Sequence, residues 1–146
     1  MEVVIEMEGK AKETDVRTLI NPPGTEAIYK GMQFSQAVRV GSQIWVSGQV
    51  GMNENWQIGD GIEAQARIAF QNLERVLSHA GATLADIVEL TTFHTSMADM
   101  AAFSKVKAEF IPRDYPAWTA VGVTALVLPT LLVEIRATAV IGSKKE

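Results

Sequence analysis

YPAWTAVGVTALVLPTLLVEIRATAV, residues 115–140, is rich in β-branched and aliphatic residues and is interrupted by Pro129 and Thr130. It reads as two strands, 118–126 and 131–141, joined by a short turn at that dipeptide. The second strand sets one carboxylate, Glu134, inside an apolar run. Burying a carboxylate unpaired is costly. Two readings of Glu134 are therefore open: an acid satisfied by structural partners, or an acid kept for proton transfer.

Working back from this stretch, 62–81 carries the strongest helical period. Ile62, Ala66, Ala69, Leu73, Val76 and Ala80 recur at steps of four and three, and Phe70 and Leu77 widen the stripe to a core-facing band. Glu63 suits the helix N-terminus, and Gly81 is placed as its C-terminal cap. A second helix is expected from Asp99, as N-cap, through Met100, Phe103, Val106 and Phe110, and Pro112 ends it. Between the helices, 86–95 reads as a strand. Before them, 34–40 and 43–50 read as a hairpin turning at Gly41-Ser42. A short strand at 17–20 stops at Asn21-Pro22-Pro23-Gly24, 24–33 reads as a loop, and Val3-Val4-Ile5 is a weak edge-strand candidate. Strands, helix, strand, helix and two strands point to one sheet with both helices on one face.

The 146 residues fit one domain over 1–146, with 1–16 open as an extra N-terminal segment, and the 47% apolar content can fill a core. A net charge of -4 with interspersed signs argues against nucleic acid as a partner. The Lys144-Lys145 pair reads as a solvated tail. Residues 1–8 carry three acids and no basic region, so no secretory signal is expected, and no apolar run reaches membrane-spanning length. The absence of cysteine excludes thiolate chemistry and fits a reducing cytosol, so a cytoplasmic location is expected.

No phosphate-binding glycine loop and no nucleophile elbow occur, and His79 and His94 are too few for a metal site. His79 reads as a solvated residue at a helix end. His94 reads as a structural, hydrogen-bonded histidine, with a catalytic role left to geometry. Trp45 reads as core or interface packing. Trp56 covers either a site or its own loop. For Trp118, packing and a pocket role are both open.

Three blocks of sequence belong together. They are FSQAVRVG (34–41) with VSGQV (46–50); EAQAR (63–67) with Asn72-Leu73 and AGATLADIV (80–88); and Pro116-Ala117 with Leu128-Pro129 and LVEI (132–135). In this order, over 17–140, they resemble the RidA/YjgF family of reactive intermediate deaminases, also described as L-PSP endoribonuclease-like. The resemblance implies an α+β fold like chorismate mutase, with one mixed sheet of about six strands and helices on one face. It further implies a homotrimer with a small-molecule ligand at each subunit interface. The chemistry implied is hydrolysis of reactive enamines and imines, such as 2-aminoacrylate, to a keto acid and ammonia, with no metal and no organic cofactor. An imine carbon is already electrophilic, so a positioned water and a carboxylate for proton traffic suffice.

Residue by residue, the resemblance makes Glu134 the water-positioning glutamate and puts the backbone of Ser47-Gly48 on the pocket wall. Trp118 stands where deaminating members carry an arginine that clamps the substrate carboxylate. Phe34 stands where a tyrosine is common, Lys107 where asparagine is frequent, and Arg136 where a second glutamate is frequent. The substrate-binding set so implied is Phe34, Ser47, Gly48, Lys107, Trp118, Ala120 and Arg136, with Glu134 catalytic. Indole cannot replace a bidentate guanidinium. The substrate expected is thus an enamine or imine other than the usual 2-imino acids, flat enough to stack on Trp118. The alternative is a non-catalytic, metabolite-binding trimer. Arg136 lies two residues from Glu134 and so faces the same way. Either it pairs with an acid across the subunit interface, or it or Lys107 supplies the anion contact.

Overall fold

The computed structural model describes residues 15–146, which form in order β1 (Thr18–Ile20), α1 (Glu26–Met32), β2 (Ala37–Val40), β3 (Gln43–Val50), α2 (Gly61–Ala80), β4 (Ile87–His94), α3 (Met100–Phe110), β5 (Ala117–Gly122) and β6 (Val133–Val140). Single 3-10 turns at Leu84–Asp86 and Met97–Asp99 lead into β4 and α3. The edge strand expected at 3–5 lies outside the described residues.

The six strands form one mixed sheet in the order β1-β2-β3-β6-β4-β5. Its pairs are antiparallel except β4–β5, which runs parallel with α3 as the crossover. The α+β architecture expected from the element order is present. Helix α2 presents the expected stripe, with Ala66, Ala69, Phe70, Leu73, Val76, Leu77 and Ala80 buried, and Gly81 closes it at φ 91. Phe70 stacks with Phe103 and Phe110 of α3, at centroid distances of 5.9 and 5.1 Å, and so joins the two helices over the sheet. On the sheet side the core is closed by Ile44, Val46, Leu90, Val133, Ile135, Ala137 and Ala139.

Three expectations are corrected. First, the closing strands are shorter than read and are not a hairpin. β5 ends at Gly122, β6 starts at Val133, and β4 lies between them in the sheet. Pro129 and Thr130 belong to a longer connection over 123–132. Apolar composition marked both strands, but strand order depends on partners far away in sequence. Second, part of 24–33 is helical. In α1 the Gly24 amide donates to Glu26 Oε2 at 3.0 Å, the Thr25 hydroxyl donates to the Pro22 carbonyl at 2.6 Å, and Gln33 ends the helix in a left-handed conformation. Seven residues with none buried are too few for a period to register. Third, Asp99 occupies the N-cap position of α3 but makes no side-chain capping bond, because the preceding 3-10 turn already delivers the chain in helical geometry.

The 123–132 connection is pinned to α2 by one buried side chain, Gln65. Its amide nitrogen donates to the carbonyls of Thr130 at 2.9 Å and Gly59 at 3.1 Å, and its oxygen accepts the Leu132 amide at 2.7 Å. Leu132 immediately precedes β6, so this amide sets where β6 begins. Leaving these groups unpaired in the interior costs about 1–3 kcal/mol each before relaxation. Gln65→Leu should therefore lower unfolding stability by about 2–4 kcal/mol in urea denaturation. An unchanged midpoint would show that Gln65 does not hold the connection.

Candidate functional site

Side chains alternate along β6. Val133, Ile135, Ala137 and Ala139 are buried under the helices, while Glu134, Arg136, Thr138 and Val140 face the other way. Opposite Glu134 lie Val50 on one neighbour and Phe93 on the other. The β3–β6 register slips between Val46 and Gln49, so Ser47-Gly48 forms a bulge beside Glu134.

Glycine in that bulge leaves the space that the Glu134 carboxyl occupies. A Cβ built on Gly48 would fall 2.5 Å from Cδ and 2.6 Å from Oε2 of Glu134. The carboxyl group therefore lies directly against the Gly48 backbone. Ser47 is held in turn by β2 and its approach: its hydroxyl donates to the Ser35 carbonyl at 2.7 Å, and its amide donates to the Gln36 carbonyl at 2.9 Å. The Gln49 amide ties this layer to the Gln36 side chain at 3.0 Å.

Phe34, Ser47, Gly48 and Glu134 line one cavity of about 560 Å³. Helix α1 supplies Ile28 and Met32 to it, and α2 supplies Asn72 and Arg75. The loop after β3 adds Glu54 and Trp56. Burial pushes the Glu134 carboxyl above the usual glutamate range, and the guanidinium of Arg136 on the same face pulls it partly back. Arg136 is thus the cation beside Glu134 that strand alternation predicted.

Lys107, Trp118 and Ala120 do not join this cavity within the chain. Trp118 pairs with Leu90 and Ala120 with Thr92 across the parallel β4–β5 ladder, which puts both on the helix face. The Trp118 indole N–H donates to Thr92 Oγ1 at 2.9 Å, and its ring lies 6.0 Å from Phe103. Glu134 and Trp118 thus lie on opposite faces of the same sheet. The ring face expected to be open for stacking carries the Lys107 ammonium, 4.6 Å from the centroid, with Tyr115 at 5.7 Å. Burial lowers the Lys107 pKa.

His94 is buried in the same network, its Nε2 2.7 Å from Thr92 Oγ1. Burial holds its pKa low against a smaller upward pull from Asp99, so a neutral, structural imidazole fits. His79 is exposed at the end of α2. Trp45 lies 45% exposed on the Glu134 face of the sheet rather than in the chain's own core. Among the described residues no three His, Asp or Glu side chains form a metal-binding group, and no helix is long and apolar enough to cross a membrane.

Sequence reading missed the wall formed by Asn72, Arg75 and Glu54, whereas Trp56, left open as covering a site or its own loop, does line this cavity. A faint signal existed for Arg75: no acid stands three or four residues away on its helix, where Gln71, Asn72, Ser78 and His79 lie.

The raised pKa of Glu134 makes a stability prediction. A carboxyl raised in the folded state contributes stability that is full below its unfolded pKa and is lost as pH rises through the folded value. Glu134→Gln cannot ionise and escapes that loss. Its melting temperature should exceed that of the wild type near neutral pH and converge with it below about pH 4. Equal melting temperatures at neutral pH would mean that Glu134 ionises at no cost.

The family model described as Endoribonuclease L-PSP matches residues 24–141. The RutC family protein YjgH of Escherichia coli (strain K12) is 41% identical over 112 residues, 75% of this chain and 86% of that protein. A 2-iminobutanoate/2-iminopropanoate deaminase of Dermatophagoides farinae is 37% identical over 95 residues, 64% of this chain and 74% of the relative. The crystal structure of Rv2704 from Mycobacterium tuberculosis, of the YjgF/YER057c/UK114 family, superposes with a TM-score of 0.77 at 35% identity, covering 86% of this chain and all of that one. Sequence blocks, fold and relatives agree: the chain belongs to the RidA/YjgF family, the family of the Endoribonuclease L-PSP model.

Proposed function

We propose that the chain is a cofactor-independent hydrolytic deaminase of a reactive enamine or imine, with Glu134 as the group that moves protons. The observation that carries this reading is the Glu134 carboxyl, laid against the Gly48 backbone in a cavity and raised in pKa by burial. A carboxyl raised above its usual range holds a proton more readily than an ordinary glutamate and so can both take and return one. An enamine first accepts a proton at carbon to become the protonated imine. Glu134 then takes a proton from water as the water oxygen bonds to the imine carbon. Returning that proton to the nitrogen of the resulting carbinolamine makes ammonia the leaving group; as the carbon–nitrogen bond breaks, the hydroxyl proton passes to Glu134 and a carbonyl is left. Imine and water enter; carbonyl compound and ammonia leave. The name of the Dermatophagoides relative supports this chemistry at the level of the family.

The complete cleft in this proposal belongs to a homotrimer. Glu134 and the Lys107–Trp118 pair face opposite sides of one sheet, so a ligand touching both needs two chains. Trp45, Phe93 and Val121 give the Glu134 face of the sheet an apolar surface for a neighbour to cover. The neighbour's Lys107, carried on Trp118, then supplies the positive charge that an arginine gives in other members, as a compact ammonium rather than a fork. That difference favours a substrate other than the usual 2-imino acids. The lack of cysteine fits action in a reducing compartment such as the cytoplasm.

Loss of the arginine fork also favours a second reading, a trimer that binds a metabolite without turnover. Ribonuclease action, which the family description suggests, is opposed by the net charge of -4. Ammonia release across a panel of freshly generated imines and enamines separates these readings. The wild type should release ammonia from at least one compound, and Glu134→Gln should lose about 100-fold or more of that rate. A Glu134→Gln protein at the wild-type rate would sink the mechanism, and silence across the panel would favour the binding module.

A further inference from the structure

The cavity holding Glu134 is larger than a small 2-imino acid requires. Its volume of about 560 Å³ lies in the range that encloses much bigger ligands. Among the described residues, Arg75 is the one cationic side chain on its wall. Arg75 Nη1 pairs with the carboxylate of Glu54, which is 71% exposed. Arg75 Nε is sealed from solvent and has no hydrogen-bond partner among the described residues. An exposed pair of this kind contributes little and is screened by salt, whereas a buried donor without a partner is unfavourable.

The loop does not need Arg75 to hold its shape. The Asn72 amide already binds the carbonyls of Val50 at 3.1 Å and Met52 at 2.9 Å. Asn53 Oδ1 accepts the amides of Asn55 at 2.9 Å and Gln57 at 3.0 Å. The same loop keeps Trp56 at φ 64, in the left-handed region, and 60% exposed beside the cavity. A bulky residue in that conformation is strained, and an indole left in water forgoes burial. An under-satisfied guanidinium and a strained, exposed indole thus meet at one wall, and the fold gains little from either.

We propose that Arg75 is the specificity residue of this cavity, binding an acid group that the substrate carries apart from its carbon–nitrogen double bond. Glu54 holds the guanidinium while the cavity is empty and yields it to the substrate's acid group, and Trp56 covers the bound ligand. The substrate class is therefore an imine or enamine with a second acidic group. This assignment rests on the deaminase reading for its chemistry but not for the existence of the anion site.

The test compares 2-iminoglutarate with 2-iminobutanoate, each generated in situ, by ammonia release from the full chain. The wild type should show the higher kcat/KM on the dicarboxylate. Arg75→Gln should lower that value by about tenfold or more and change 2-iminobutanoate by less than about twofold. Arg75→Lys should recover part of the loss, and Glu54→Gln should raise kcat/KM on the dicarboxylate. Equal losses on both substrates, or no loss on 2-iminoglutarate, would overturn the proposal. If neither imine is turned over, the deaminase reading is left to the wider panel, and calorimetric titration with 2-oxoglutarate decides the anion site by itself. Binding by the wild type that weakens about tenfold in Arg75→Gln, at an unchanged melting temperature, supports it. Absent binding, or equal binding in both proteins, overturns it.

Discussion

The pleat of β6 in the middle of the sheet is the constraint on which the rest depends. Val133, Ile135, Ala137 and Ala139 are buried against the helices, and β3 and β4 bond the strand on both sides. A slip of one residue would turn Glu134 and Arg136 into the core and expose the whole apolar set. Register, core and carboxylate position are thus one decision. Gln65 enforces it from outside the sheet by holding Leu132 where the strand begins. The Ser47-Gly48 bulge completes it by leaving room for the carboxyl where a side chain would collide.

Much of this was legible locally. The α2 stripe, the Gly41 hairpin turn and the facing of Glu134 with Arg136 follow from residue types within a few positions of one another. The Gly41 backbone does take a positive φ, at 58°, as the turn required. The failures share a different cause. β5 and β6 are both rich in aliphatic and β-branched residues, so composition could not say that β4 separates them. Helix α1 is too short and too exposed for a period to speak.

The candidate site was legible in the same uneven way. Alternation fixes facing within a strand, but not between strands whose pairing is unknown. Trp118 therefore could not be assigned to the face opposite Glu134 until its pairing with Leu90 was seen. Arg75 sits off the helical stripe, and only the fold of the loop after β3 gives it a cavity to line. Chemistry followed the same division. The acid and Arg136 beside it could be read from their strand; the seat of the Lys107 ammonium on the Trp118 ring depends on contacts across the fold.

In the proposed reading, the carboxylate on one face and the cation on the other make a cleft where two chains meet. Mixing subunits tests this most directly. Glu134→Gln and Lys107→Glu chains are co-assembled in equal amounts, and ammonia release is read on an imine that the wild type hydrolyses. Each variant alone should be inactive. Random pairing of the two kinds of half-site should restore about a quarter of wild-type activity, because one interface in four then joins an intact Glu134 to an intact Lys107. A mixture as inactive as its parents would contradict the account and confine the site to one chain.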